Sequence, residues 1–240
     1  MPDPSRESVH ELSELGIVAF TTTRAAGTFG TAGTDPVGEV MGRWWSLVES
    51  LQAFGPRFAT ARQVHGNRVL VHRTGWDGWL RASAADGHVA TERGTALAVT
   101  IADCVPVFVA HPGGATALLH AGWRGTAARI LEAGVRELQR LGLAPRDLHV
   151  HLGPAICGRC YQVGTDVYAQ LTGQSVDGPR CVDLRALLAA QAAGLGVTHV
   201  SASAVCTRCD NERFFSHRAG DAGRALAIIV SPVESRAHAP

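Results

Sequence analysis

The sequence predicts an α+β fold, a mixed α/β sandwich, on three observations. Short apolar runs rich in β-branched residues recur along the chain. Stretches with 3.6-residue apolar spacing lie between them. Strands and helices interleave without a repeating βαβ unit, which argues against a doubly wound sheet. Ile17–Thr22 reads as a strand, and Gly27–Gly38, crowded with Gly and Thr, as a flexible loop. Glu39–Phe54 carries a helical pattern. Arg68–His72 returns to strand, with His72 expected to face solvent. Ala96–Ile101, Pro106–Ala110 and Ala115–Leu119 read as three further strands.

Thr126–Leu141 has the clearest helical pattern. Ala127, Ile130, Leu131, Val135, Leu138 and Leu141 line one stripe, Arg129, Arg136 and Arg140 fall off it, and Gly142 ends it in a left-handed cap. Leu148–Leu152 is the next strand, Asp166–Leu171 a short helix, and Asp183 is placed to cap a helix over Leu184–Ala193. His199–Ala204 and Ala225–Val230 complete the strands, and Glu234–Pro240 reads as a loose tail. No linker, block of like charge or fixed-period repeat divides the chain. One domain over residues 1–240 is expected, with its core over about 17–231.

Composition fits an ordinary enzyme. The chain has 240 residues, 46% apolar and 18% charged, enough to bury a core. A formal net charge of +1 gives no strong pull toward nucleic acid or a membrane surface. Six cysteines are too few for a disulfide scaffold of this length. The N-terminus is polar and lacks a signal-type apolar segment, and no apolar run reaches membrane-spanning length. A cytoplasmic location is expected, where unpaired cysteines stay reduced.

Three compact motifs carry the chemistry: QVHG at Gln63–Gly66, ADC at Ala102–Cys104 and HAGWRG at His120–Gly125. Each closes or follows a strand-like run. Together His65, Cys104 and His120 offer one thiolate and two imidazoles, a set that suits zinc or copper. Three protein ligands leave a fourth position open, the pattern of a catalytic rather than a structural metal. The HAGWRG turn leads into the Thr126 helix, whose N-terminus with Arg124 is a natural anion site. Pro106 interrupts the strand ladder after Cys104, so its sulfur is expected at a bend. Asp103 needs a partner inside its apolar run, such as the ring N–H of a ligand histidine. Gln63 falls on the same side as His65 in extended chain and suits recognition of a base or hydroxyls. Asp86, ahead of Gly87, serves as a turn residue, or binds ribose hydroxyls, or acts as acid/base.

These motifs occur in order with ADGHVAT, LGPAICGRCYQVG, CTRCDNERFFSHRAG and GRALAIIV. Together they resemble the YfiH family, also called the laccase-domain or polyphenol-oxidase-like family, from about Phe20 to Val230. The resemblance implies the YfiH-like sandwich, which is similar to that of a cytotoxic-necrotizing-factor toxin, and metal ligands at His65, Cys104 and His120. It also implies phosphorolysis of adenosine, inosine, guanosine and methylthioadenosine, deamination of adenosine, and zinc as cofactor with copper as the alternative. The implied partners are a purine nucleoside and phosphate, and a monomer or small homo-oligomer is expected. Arg24 in FTTTRAAG matches the family's early arginine motif, and Arg24, Arg124 and Arg218 are the phosphate candidates. Phe214 and Phe215 can stack on a base or pack in the core, and Phe215 is taken for the base. Two departures bear on substrate choice: Met41–Gly42–Arg43 stands where relatives often carry Asn–Arg, and His88 where many have an apolar residue.

Other readings compete for the same residues. One is a hydrolase of a peptidoglycan-precursor amide, with Cys104 as nucleophile and His120 as base. Another is copper-dependent phenol oxidation. Of eleven histidines, only His149 and His151 form an HxH pair, too few for four coppers. A non-catalytic binding module is disfavoured by the open metal position. The pairs Cys157/Cys160 and Cys206/Cys209 carry structural-zinc spacing, but a predicted helix and strand separate them. They are therefore ranked below the His–Cys–His set, with a second zinc or a disulfide as the minor alternative.

Overall fold

A computed structural model describes residues 3–233, so the tail expected at Glu234–Pro240 lies outside the described residues. Strands and helices are numbered in chain order, the helices from the short α1 (His10–Ser13). One six-stranded sheet runs β1 (Arg6–Ser8), β2 (Val18–Thr22), β14 (Ala225–Val230), β7 (Thr95–Ile101), β3 (Arg57–Ala61) and β5 (Gly78–Ala82). A second runs β13 (His199–Ala202), β10 (His149–Leu152), β8 (Val105–Ala110), β9 (Thr116–Ala121), β6 (Gly87–Ala90) and β4 (Val69–His72). Both mix parallel and antiparallel pairs. The short strands β11 (Gln162–Val163) and β12 (Arg180–Cys181) pair separately.

Side-chain alternation sorts the central strands into layers. In β7, Leu97, Val99 and Ile101 face the other sheet, where they meet Phe108, Ala110 and Leu118. Ala96 and Ala98 face outward with Leu226, Ile228 and Val230, against Val40, Trp44, Val48 and Leu51 of helix α2 (Val37–Leu51). On the far side, Val107, Leu119 and Val150 pack under Ile130, Leu131, Val135 and Leu138 of helix α4 (Ile130–Arg140) and under Leu188 of helix α6 (Leu184–Gly194). The result is helix, sheet, sheet, helix. Strands β8, β9 and β14 are covered on both faces and buried throughout, which explains the unbroken apolar sequence of β8 and β14 and leaves Thr116 and His120 as the buried polar residues of β9. Among the described residues, no helix is long and apolar enough to cross a membrane.

Most expected elements appear within a residue or two of their predicted ends. Asp183 does cap α6, accepting from the backbone N–H of Arg185 and Ala186. The helix expected over Thr126–Leu141 is two: α3 (Trp123–Ala127) and α4. Arg129 breaks it in the left-handed region at φ 62°. The break turns α4 onto β4, β6 and β9 while α3 packs beside α5 (Thr165–Thr172) and α6. Ala127 and Ile130 are apolar on both sides, so the stripe runs on through the break unseen. The ends Arg6–Ser8, Arg57–Ala61, Gly78–Ala82 and Gly87–Ala90 are strands that local pattern misses. They are short or rich in Gly and Ala, and pairing with a neighbour makes them strands. His72 is buried rather than solvent-facing. Its Nε2 lies 2.9 Å from Nδ1 of buried His88, and burial, reinforced by His72, pushes the His88 imidazole down to about 3.

Leu118 is fully buried between the sheets. Leu118→Ala is expected to lose about 2–5 kcal/mol of stability, through lost transfer energy and a cavity that facing strands cannot close. Urea unfolding measures it, and a loss below about 1 kcal/mol would contradict a tightly packed inter-sheet layer.

Candidate metal centre and adjoining cavities

His65, Cys104 and His120 come from three chain segments, and their ligand atoms lie within 4.8 Å of one another. His120 sits near the end of β9, with the same alternation as Leu118. Cys104 ends the turn from β7 to β8, and His65 lies in the loop after β3. The His65 and His120 rings meet edge-on with centroids 4.9 Å apart.

One buried carboxylate ties two of these segments together. Asp86 accepts from the backbone N–H of Val64 at 3.1 Å, His65 at 2.9 Å and Gly66 at 2.8 Å. It also accepts from His120 Nδ1 at 2.9 Å, which leaves the other ring nitrogen, Nε2, for Cys104 or a metal. His65 itself has φ 61°, a left-handed conformation that these bonds hold in place. Burial raises the Asp86 carboxyl, but hydrogen bonds from His120 and the loop N–H groups outweigh it and hold the group below the usual range.

Cys104 is set by a second buried carboxylate. Asp103 adopts φ 82° and turns the chain. It accepts from Thr207 Oγ1 at 2.6 Å and from the backbone N–H of Arg218 at 2.7 Å. The expected partner, a ligand histidine, belongs to Asp86 instead. The bend at Cys104 is likewise made by Asp103, since Pro106 stays in the ladder opposite His120. The HAGWRG glycines are there for close approach. A Cβ on Gly122 would sit 2.8 Å from the Cys104 sulfur, and one on Gly125 3.1 Å from the Gly66 carbonyl. The turn leads into the five-residue α3, not into the N-terminus of a long helix as expected.

Burial opposes charge on Cys104, but His120 and hydrogen bonds from both histidines bring its thiol down to about 6. The reverse holds for His120: burial lowers it, while the Cys104 thiolate and Asp86 raise it to about 9. Both shifts favour a thiolate–imidazolium pair over two neutral groups. This donor set fits a thiophilic divalent cation: a ready thiolate, one oriented imidazole and a second on a fixed loop.

Two cavities meet at His65, Ala102, Cys104 and His217. The larger, about 650 Å³, is lined by Phe29, Trp44, Trp45 and Trp79, with Arg81 and Arg224. The smaller, about 330 Å³, is lined by Trp123, Arg124, Tyr161 and Arg218. Arg124 lies over the Trp123 ring at 4.3 Å and Arg218 over Tyr161 at 5.0 Å. Burial, then the nearby Cys104 charge, raises the Tyr161 hydroxyl to about 12.

The structure brings Arg124 and Arg218 to the small cavity and Gln63 to the large one, but redirects other candidates. Arg24 donates to the carbonyls of Asn211 at 2.6 Å and Phe214 at 3.1 Å, and pairs with Asp221. Its charge is spent on the 211–221 loop, and it lines neither cavity. Phe215 lies under that guanidinium at 4.5 Å and also lines neither cavity. Phe214 is core. Asp86 is enclosed by the ligand loop, not open to ribose. The Gln63 amide is occupied on both ends by Thr100, with its Nε2 2.8 Å from the carbonyl and its Oε1 2.7 Å from the backbone N. Trp44, Trp45, Trp79 and Tyr161 are the lining residues that motif reading left aside, while His217, beside Arg218 in FFSHR and a sequence candidate for sugar or phosphate contact, lines both cavities. A visible signal was the Trp44–Trp45 pair, one buried and the other 58% exposed.

In metal-free protein, alkylation of Cys104 followed on its own peptide is expected to have its midpoint near pH 6. Below that the proton returns to sulfur and reaction falls. A midpoint near that of an ordinary thiol, about 8.5, would overturn the thiolate–imidazolium pair.

Residues 22–232 match the sequence profile of a family described as multi-copper polyphenol oxidoreductase laccase. The chain is 36% identical to a purine nucleoside phosphorylase of Streptomyces coelicolor, over 83% of this chain and 85% of that one. Among solved structures, YlmD from Geobacillus stearothermophilus is 30% identical with a TM-score of 0.81, covering 91% of this chain and 93% of its own. Bacillus licheniformis YfiH superposes with a TM-score of 0.83 at 24% identity, covering 95% and 97%, and shares the fold. With the profile spanning nearly the whole chain and the same sandwich in both solved neighbours, this protein belongs to the laccase-like YfiH family.

Proposed function

We propose that this chain is a metal-dependent purine nucleoside phosphorylase, acting on adenosine, inosine, guanosine and methylthioadenosine, with adenosine deaminase activity. The observation that carries the reading is the position of His65, Cys104 and His120 between an aromatic cavity and a basic one. The aromatic cavity has the size and lining for a purine. The basic one offers the Arg124 and Arg218 guanidiniums for phosphate. The relatives named purine nucleoside phosphorylase support the same reading.

His65, Cys104 and His120 would hold the metal. When bound, zinc there supplies Lewis acidity beside the purine, and copper is the alternative because the donor set accepts both. Asp86 keeps His120 in one tautomer and the His65 loop in one shape. Arg124 and Arg218 hold phosphate so that one oxygen bonds to ribose C1′ as the bond to the purine nitrogen breaks, and they offset charge at the attacking end. His217 borders both cavities, and it would hydrogen-bond the ribosyl unit between them. The tryptophans keep water from the base face.

Metal-loaded protein incubated with adenosine and phosphate should release adenine and ribose 1-phosphate, with inosine as the deamination product. Absence of all three would sink the proposal. Arg124→Ala is expected to raise the phosphate KM about 10–100-fold, the worth of a charged hydrogen bond, and to leave the nucleoside KM near its starting value. Asp86→Asn should cost about 10–100-fold in metal affinity, read by competition with a chromophoric chelator.

One observation favours a second reading. Cys104, His120 and Asp86 also form a nucleophile–base–carboxylate series, with the thiol already depressed to about 6. That suits an amidohydrolase acting on a peptidoglycan precursor. Metal content of Cys104→Ala separates the two: loss supports the metal centre, while unchanged content with amidase activity lost supports the nucleophile. Oxygen uptake with a catechol by copper-loaded protein would support phenol oxidation instead.

A further inference from the structure

The two CxxC pairs, ranked low from sequence, meet in space. The four sulfurs of Cys157, Cys160, Cys206 and Cys209 lie within 4.8 Å of one another. Cys160 and Cys209 are 3.5 Å apart, and none of the four is in a disulfide. A disulfide needs about 2.05 Å. A tetrahedron with metal–sulfur bonds of about 2.3 Å places its sulfurs roughly 3.8 Å apart. The cluster therefore has the spread of a tetrathiolate cage.

The backbone around it is built for such a cage. Residues 155 and 206 form a parallel bridge that aligns the two loops. Within the first loop, the Cys160 and Tyr161 N–H groups both donate to the Cys157 carbonyl, at 3.0 and 3.1 Å. The turn folds its two cysteines to one side. The Cys157 and Cys209 N–H groups donate to the Cys206 sulfur at 3.2 and 3.4 Å, bonds that favour a thiolate there. Arg208 reaches across to the Cys160 carbonyl at 3.3 Å and adds positive charge beside the sulfurs.

We propose that Cys157, Cys160, Cys206 and Cys209 form a structural site for a thiophilic divalent cation of the zinc class, separate from the His65–Cys104–His120 centre. Four protein ligands close the coordination shell, so this site holds structure and does no chemistry. What it holds is one wall of the small cavity. Ile156, next to Cys157, donates its N–H to the Asp103 carbonyl at 3.1 Å. Thr207, next to Cys206, donates its hydroxyl to the Asp103 carboxylate. Tyr161 and Arg218 stand on the same two loops. The cage clamps together the loops that orient Asp103, and through it the turn bearing Cys104.

The test is metal analysis of the full chain purified under reducing conditions without chelator. Two zinc per chain are expected in the wild type and one in Cys160→Ser/Cys209→Ser. Cys104→Ala should also retain one. Cobalt-substituted wild type should show the intense thiolate charge-transfer bands and red-shifted d–d bands of a tetrathiolate. Cys104→Ala should keep those bands whatever becomes of its activity, which separates this site from the proposed reaction. The wild-type cobalt spectrum decides the matter if the double variant fails to fold. Absence of the tetrathiolate spectrum from the wild type would overturn the proposal, as would disulfides among these four cysteines found by non-reducing peptide mapping.

Discussion

The buried Asp86 carboxylate is the interaction on which the candidate site depends. Left alone, a carboxylate in this position would face a large desolvation cost and take up a proton. Four donors offset that cost, three from the His65 loop and one from the His120 ring. Because those donors belong to the loop after β3 and to β9, satisfying the charge forces loop and strand into one arrangement. The left-handed conformation of His65 and the ring orientation of His120 follow from the same group. The carboxylate also helps to keep His120 cationic beside Cys104, and this lowers the thiol.

The two-sheet architecture makes that arrangement possible. Strands β7, β8 and β9 run through the centre of the sandwich, covered on both faces, so their ends are rigidly placed. Cys104 and His120 lie at the same end, one leaving β7 and the other closing β9. Glycine at 122 lets the backbone pass close to the sulfur. A second carboxylate, Asp103, repeats the logic of Asp86 on the opposite side, binding the β7–β8 turn to the loops that carry the four clustered cysteines. Two buried acids thus brace the three ligands from two directions.

Around this braced core the walls differ in character. The large cavity takes its surface from α2 and the outer strands, where Trp44 and Trp79 stack with centroids 5.2 Å apart. The small one takes its surface from α3 and the cysteine-bearing loops, with guanidiniums lying on aromatic rings. Arginine held on a ring keeps its direction without losing its charge. An apolar planar group and an anion would each find a matching wall, with the ligand cluster between them.

The sandwich class, most of the strands and α6 with its Asp183 cap were legible because apolar period and cap chemistry are local properties of the chain. That His65, Cys104 and His120 come together was legible because each sits in a compact motif. Roles that depend on a partner were not. Arg24 has the charge for phosphate, but Asp221 and two carbonyls claim it, and they lie nearly two hundred residues away. Gln63 and Phe215 are similarly taken by Thr100 and Arg24. Arg129 breaks a helix whose stripe runs on undisturbed. The cysteine pairs carry structural-zinc spacing, but the helices and strands between them hide the parallel bridge that joins their loops. Sequence alone determined which side chains are available and what chemistry they can support. The tertiary structure decided which are free to use it, because each buried charge or amide is satisfied by whatever distant segment the fold brings beside it.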